Sequence, residues 1–154
     1  MPTFRFRMFP RTVAAGGVAL ALSLVGCSTS ETASKADGTT INVDLKEWAF
    51  DASSTTAPAG KVTFTAKNKG REVHELVLFK SDLAPADLPV DEEGAVDEAG
   101  EGLELVDEVE NVKAGETKSF AVDLKPGKYV MACNVVENGQ RHFMNAMYAS
   151  FTVV

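Results

Sequence analysis

The 154-residue chain is short of the residues on which most metal, redox and nucleic-acid chemistry draws: it has two cysteines, two histidines, two tyrosines and one tryptophan. No Cys-x-x-Cys pair occurs, which excludes a dithiol redox motif of that kind. There is no Walker-type loop, no Gly-rich dinucleotide fingerprint and nothing resembling a nucleophile elbow, so nucleotide-dependent and ordinary hydrolase chemistry have no support. Positive charge is scarce as well, with 15 Lys and Arg against 22 Asp and Glu. Arg5, Arg7 and Arg11 all fall in the first 26 residues, which hold no acid, and this leaves the remainder at −10 where the whole chain stands at −7. Such a surface repels phosphate, so nucleic acid is not an expected partner. A convincing apolar stripe of 3.6-residue period is also missing, which argues against a helical fold. What remains is a chain 45% hydrophobic, enough for one ordinary core.

What is present begins with an address. A basic stretch from Met1 to Arg11 precedes an apolar run, Thr12 to Val25, too short for a confident membrane span and suited to the h-region of a secretory signal. The run ends in Leu24-Val25-Gly26-Cys27, and the chain turns polar at once. The tetrad resembles the lipobox of bacterial lipoproteins, which implies that residues 1–26 are removed and that Cys27 is acylated. That position also argues against a Cys27–Cys133 disulfide. Residues 27–39 read as a flexible tether, with the folded domain over 40–154. The expected location is the extracytoplasmic face of the cell membrane, held by lipid and not by a spanning helix.

From Thr40 onward, short runs rich in β-formers alternate with turn signals. Ile41 to Leu45, Lys61 to Lys67, Val73 to Phe79, Thr117 to Leu124, Lys128 to Cys133 and Tyr148 to Val154 are the expected strands. Pro58-Ala59-Gly60, Asn68-Lys69-Gly70 and Pro126-Gly127 are the turns between some of them. Regular strand spacing predicts an all-β, Greek-key β-sandwich. One long insertion departs from the pattern: residues 81–111 carry twelve acids and neither Lys nor Arg. It reads as a solvated, partly mobile loop, or alternatively as a docking face for a cationic partner.

The few chemistry-bearing residues of the domain are concentrated. Cys133, His142, Met144 and Met147 fall in one stretch, and His74 follows the Asn68-Lys69-Gly70 turn. Two imidazoles and a thiolate supply a trigonal plane, and a thioether binds weakly on its axis. That mixture of soft sulfur and borderline nitrogen suits copper in both oxidation states. Zinc gains little from a thioether, and hard cations want oxygen.

The segments Asn68 to Leu78, Lys125 to Asn134 and His142 to Phe151 resemble the cupredoxin family, the plastocyanin- and azurin-like type 1 copper proteins, across roughly Thr40 to Val154. The resemblance implies one copper ion, with His74, Cys133 and His142 as equatorial ligands and Met147 as the axial one. Met144 is a rival for the axial position. Asn68, Glu75 and Asn134 would stand just outside the ligands, where polar groups tune the thiolate. Two departures are visible. Eight residues separate Cys133 from His142 where the family commonly has four, and Glu75 follows His74 where many members have Asn.

The function implied is a membrane-anchored mononuclear copper protein carrying single electrons between redox partner proteins, and not an enzyme, since both histidines are already used. Copper buffering or delivery to a copper-requiring membrane protein is the alternative, favoured if the long Cys–His loop leaves the site open. A metal-free β-sandwich binding module is the third.

Overall fold

The computed structural model describes residues 38–154. The signal segment, Cys27 and most of the tether lie outside the described residues. Eleven strands and one short 3₁₀ turn follow each other from Thr39: β1 Thr39–Lys46, β2 Ala49–Ala52, β3 Thr56–Ala57, β4 Gly60–Asn68, β5 His74–Lys80, β6 Glu104–Val112, β7 Thr117–Leu124, β8 Gly127–Ala132, β9 Val136–Glu137, β10 Gln140–Arg141 and β11 Tyr148–Val153. The expected all-β sandwich is what forms. One sheet has the order β2-β1-β4-β7, the other β3-β11-β8-β5-β6, and β9 and β10 make a separate hairpin. The chain passes repeatedly from one sheet to the other, as Greek-key connections require.

Alternation in the sequence decides which faces meet. Ile41, Val43 and Leu45 of β1 and Val62, Phe64 and Ala66 of β4 point inward, because successive side chains of a strand leave opposite faces. Phe64 is fully buried, with its ring centroid 5.2 Å from those of both Phe120 and Phe151. Burial of such a ring contributes roughly 1.5–3 kcal/mol. Strand β5 differs: every residue from Leu76 to Phe79 is buried. Leu76 and Leu78 face the main core, while Val77 and Phe79 join a second, smaller cluster on the outer side of the sheet.

That second cluster changes the reading of the acidic segment. Residues 81–111 are expected to be a solvated loop, but residues 104–111 belong to β6, a nine-residue edge strand paired with β5. Two apolar residues of the remaining loop, Leu88 and Val96, are buried against Val77, Phe79, Val130, Ala132 and Phe143. An isolated Val90–Val96 bridge and the carboxylate of Asp91, which accepts from the N–H groups of Glu93, Gly94 and Ala95, hold the loop in shape. Its acids face outward, and Leu88 and Val96 anchor it.

Candidate metal centre

Three chain segments converge at one end of the sandwich. His74 opens β5, Cys133 follows the last residue of β8, and His142 and Met147 lie between β10 and β11. The length of the Cys133–His142 segment has a structural answer. Its extra residues fold into the β9–β10 hairpin, turned by Asn138 and Gly139, both with positive φ (51° and 79°). This is the two-residue turn that matches the twist of paired strands. His142 N–H then donates to the carbonyl of Val135 at 3.0 Å, so the excursion closes at its base and His142 returns to Cys133. A tight turn follows, in which Met147 N–H donates to the carbonyl of His142 and Cys133 N–H donates to the carbonyl of Met147, each at 3.1 Å.

The resulting cluster is compact and dry. His74 Nδ1 and His142 Nδ1 lie 3.2 Å apart, and Cys133 Sγ is 3.3 Å from the second and 4.0 Å from the first. One ligand atom from each of these three residues lies within 4.8 Å of the other two. His74, Cys133 and Met147 are fully buried, and His142 is 2% exposed. Met144, by contrast, is 57% exposed, and its side chain lies near Gly94 in the acidic segment. Of the two methionines, the buried one is Met147.

The surroundings of the ligand atoms are ordered. In the β5–β6 pairing, His74 stands opposite Val112 and Leu76 opposite Val109, so β6 bulges, with Glu110 and Asn111 opposite Glu75 alone. At that irregularity the Glu75 N–H is directed to Cys133 Sγ, at 3.5 Å, a donor suited to a thiolate. Asn68 acts at one remove. Its side-chain amide donates to the carbonyls of Glu72 and Val112 and accepts from Gly70 N–H, which braces the turn leading into His74. Asn134 binds the backbone of Val96 in both directions and reaches Glu98, tying the cysteine loop to the acidic segment.

Two residues that sequence reasoning did not single out complete the site. The turn between β1 and β2, which contains a cis Glu47–Trp48 peptide bond, places both side chains over the histidines. The Trp48 ring lies edge-on to His142, with centroids 4.6 Å apart, and 6.5 Å from His74. Glu47 Oε1 accepts from the N–H groups of Arg71 and Glu72 and stands 3.6 Å from His74 Nε2. No short motif marks them, since they are remote in sequence from every ligand; only the rarity of tryptophan in this chain hinted at a role.

Burial governs the protonation of the metal-free site. It pushes the Cys133 thiol up to about 12, against backbone donors that pull it down. It also lowers His142 to about 4, helped by the adjacent His74, and lowers His74 in spite of the Glu47 charge. Glu47 is held at about 2, chiefly by the Glu72 N–H. Glu75 is raised to about 7 by burial, with Glu108 and Glu110 adding to the effect. The three clustered residues are therefore neutral when no cation is present. Two imidazole nitrogens facing each other at 3.2 Å beside a thiol, with no other protein group between them, suit a soft or borderline cation that draws off the thiol proton.

The sequence matches the cupredoxin-like domain family over residues 17–143. The chain belongs to the cupredoxin-like family. The matched span includes His74, Cys133 and His142 and ends before Met147. In this cupredoxin, His74, Cys133 and His142 form a buried three-residue donor set that fits a copper ion, and Met147 is buried next to it, its carbonyl accepting from Cys133 N–H. Solved structures with the same fold include the dithionite-reduced auracyanin of Roseiflexus castenholzii, at 24% identity and a TM-score of 0.58, covering 76% of this chain and 98% of that one. Auracyanin A of Chloroflexus aurantiacus, a blue copper protein, follows at 21% and 0.52, covering 76% and 99%. An azurin from Methylomonas sp. strain J matches at 18% and 0.55, covering 75% and 98%. No curated protein matches the sequence.

Proposed function

We propose that this cupredoxin is a one-electron carrier, with His74, Cys133 and His142 as equatorial ligands and Met147 as the axial ligand of a single copper ion. The observation that carries the reading is the convergence of two Nδ1 atoms and one Sγ in a buried cluster, with Met147 buried in the same core and hydrogen-bonded through its carbonyl to Cys133 N–H. Copper bound there supplies a one-electron couple. The chain supplies everything else: a rigid sulfur–nitrogen set, an N–H donor for the thiolate and exclusion of water. Closure of the site separates this reading from copper delivery. Delivery was favoured if the long Cys133–His142 loop were open; the loop is instead a hairpin, and His142 lies under Trp48. A site that exchanges its ion readily needs a route for incoming ligands, and a carrier that cycles does not.

The same proposal places the domain on the extracytoplasmic side of the membrane, anchored through acylated Cys27 and serving a membrane-associated redox partner. It rests on the leader and the Leu24-Val25-Gly26-Cys27 tetrad. Mass spectrometry of the membrane fraction, with Cys27→Ser as control, tests it: the wild-type chain should begin at a lipidated Cys27, and the variant should be released.

The copper assignment is tested by titrating the soluble domain with copper(II). An intense blue band that bleaches with ascorbate, returns on oxidation and is absent in Cys133→Ser is the expected result. A colourless complex would overturn the type 1 assignment. Failure to bind copper would leave the metal-free binding module.

A further inference from the structure

His74 Nε2 is buried and has no hydrogen-bond partner, yet an ionised carboxylate stands 3.6 Å from it. A neutral imidazole holds one proton and must place it on one nitrogen. Placed on Nδ1, it would leave the Nε2 lone pair facing the Glu47 carboxylate with no donor between them. Placed on Nε2, it gives an N–H directed at an acceptor and frees the Nδ1 lone pair on the side where Cys133 and His142 lie.

We infer that Glu47 is a positioning residue for the metal site: its carboxylate selects the Nε2–H tautomer of His74 and so presents Nδ1 as a ligand atom. The inference rests on the proposed reading of His74 as a ligand and deepens it. The carboxylate is itself well fixed, because Oε1 accepts from Arg71 and Glu72 N–H, and those donors belong to the turn that runs directly into His74. One oxygen therefore holds both the turn and the outward face of the ring. Carboxylates that fix metal-bound histidines in this way raise the basicity of the ligand, and their loss lowers metal affinity on the order of 10–100-fold.

Bracing the turn requires only an acceptor, whereas selecting the tautomer and favouring the more highly charged ion require the anion. Glu47→Gln separates the two, since the amide oxygen still accepts both N–H groups. The first readout is the ¹⁵N spectrum of the histidines in metal-free protein at neutral pH. Wild type should show His74 protonated at Nε2, and Glu47→Gln should show a mixture of tautomers with unchanged backbone shifts in residues 69–73. In copper-loaded protein, Glu47→Gln should keep the blue band, bind copper(II) at least several-fold more weakly and have a higher reduction potential. A wild-type His74 protonated at Nδ1 overturns the inference, and so does a variant with tautomer or potential unchanged. If Glu47→Gln fails to fold, the wild-type spectrum decides alone. Should wild type form no thiolate–copper band, the copper reading falls, while the metal-free spectrum still settles the role of Glu47.

Discussion

Met144 and Met147 are three positions apart in one loop, and their surroundings could hardly differ more. Met147 is fully buried beside Cys133, whereas Met144 is 57% exposed. Met147→Ala should therefore change the copper absorption spectrum and destabilise the domain by about 2–5 kcal/mol, the usual cost of such a truncation in a core. Met144→Ala should leave spectrum and stability within error of wild type. Spectral titration and urea unfolding of the pair check this, and the reverse order would reassign the axial ligand. Trp48 supports a second expectation at this scale. Its ring covers His142 edge-on at 4.6 Å, a geometry worth about 0.5–1.5 kcal/mol beyond simple burial. Removing it in Trp48→Ala should open the site and speed copper loss to a chelator by up to about tenfold, measured by stopped-flow bleaching of the blue band. An unchanged rate would show that the indole does not gate the ion.

Individual elements show what the sequence carried and what it withheld. The ordered strands β1, β4, β5, β7, β8 and β11 were legible from alternation and turn residues, to within a residue or two at their ends. The β9–β10 hairpin was legible in principle, since Asn138-Gly139 is the commonest signal for its turn, but two-residue strands are too short to alternate. Strand β6 was hidden by its own function. An edge strand keeps one side in water, and Glu104, Asp107, Glu108 and Glu110 make its sequence look like solvated loop. Charges on an edge keep unpaired N–H and C=O groups from recruiting another chain. Neutralising all four acids with Gln and Asn should thus promote self-association, read as growth in light scattering with concentration. A strictly monomeric variant would mean that Lys118, which donates to the carbonyls of Glu110 and Asn111, and the β6 bulge at those two residues already blunt the edge. At the site, the chain pattern and the family resemblance together pointed to His74, Cys133, His142 and Met147, of which the fold brings the first three within 4.8 Å of one another. Glu47 and Trp48 were beyond its reach, because their roles arise only when the β1–β2 turn is folded over the opposite sheet.

For the molecule as a whole, the metal-free site makes stability depend on pH in two opposing ways. His142 has a folded value of about 4, below its ordinary 6.5, so the unfolded chain takes up the proton first and stability is lost as pH falls from 6.5 towards 4. Glu75 behaves in the opposite sense. Its folded value, about 7, lies above the ordinary 4.5, so the folded chain holds the proton longer and stability is lost as pH rises from 4.5 to 7. His74, lowered by burial as well, adds to the first slope, and Glu108, raised by burial, adds to the second. Across the overlap the opposing slopes offset each other, and the metal-free protein should show a shallow profile between about pH 4.5 and 6.5. Glu75→Gln removes its part of the second slope and leaves the first. In chelator-treated protein, the variant's urea midpoint should climb steadily from pH 4.5 to 6.5 and exceed that of wild type above pH 7. A third slope begins higher, because Cys133 is raised from 9 to about 12 and the folded state resists its ionisation, so both proteins should weaken alike above pH 9. Copper acts on this last group directly, since binding requires the thiolate and releases its proton. Loading should therefore abolish the alkaline decline while raising the midpoint at every pH where the ion stays bound. A wild-type profile already rising steeply between pH 4.5 and 6.5 would show that the two buried histidines outweigh the Glu75 carboxyl in this range.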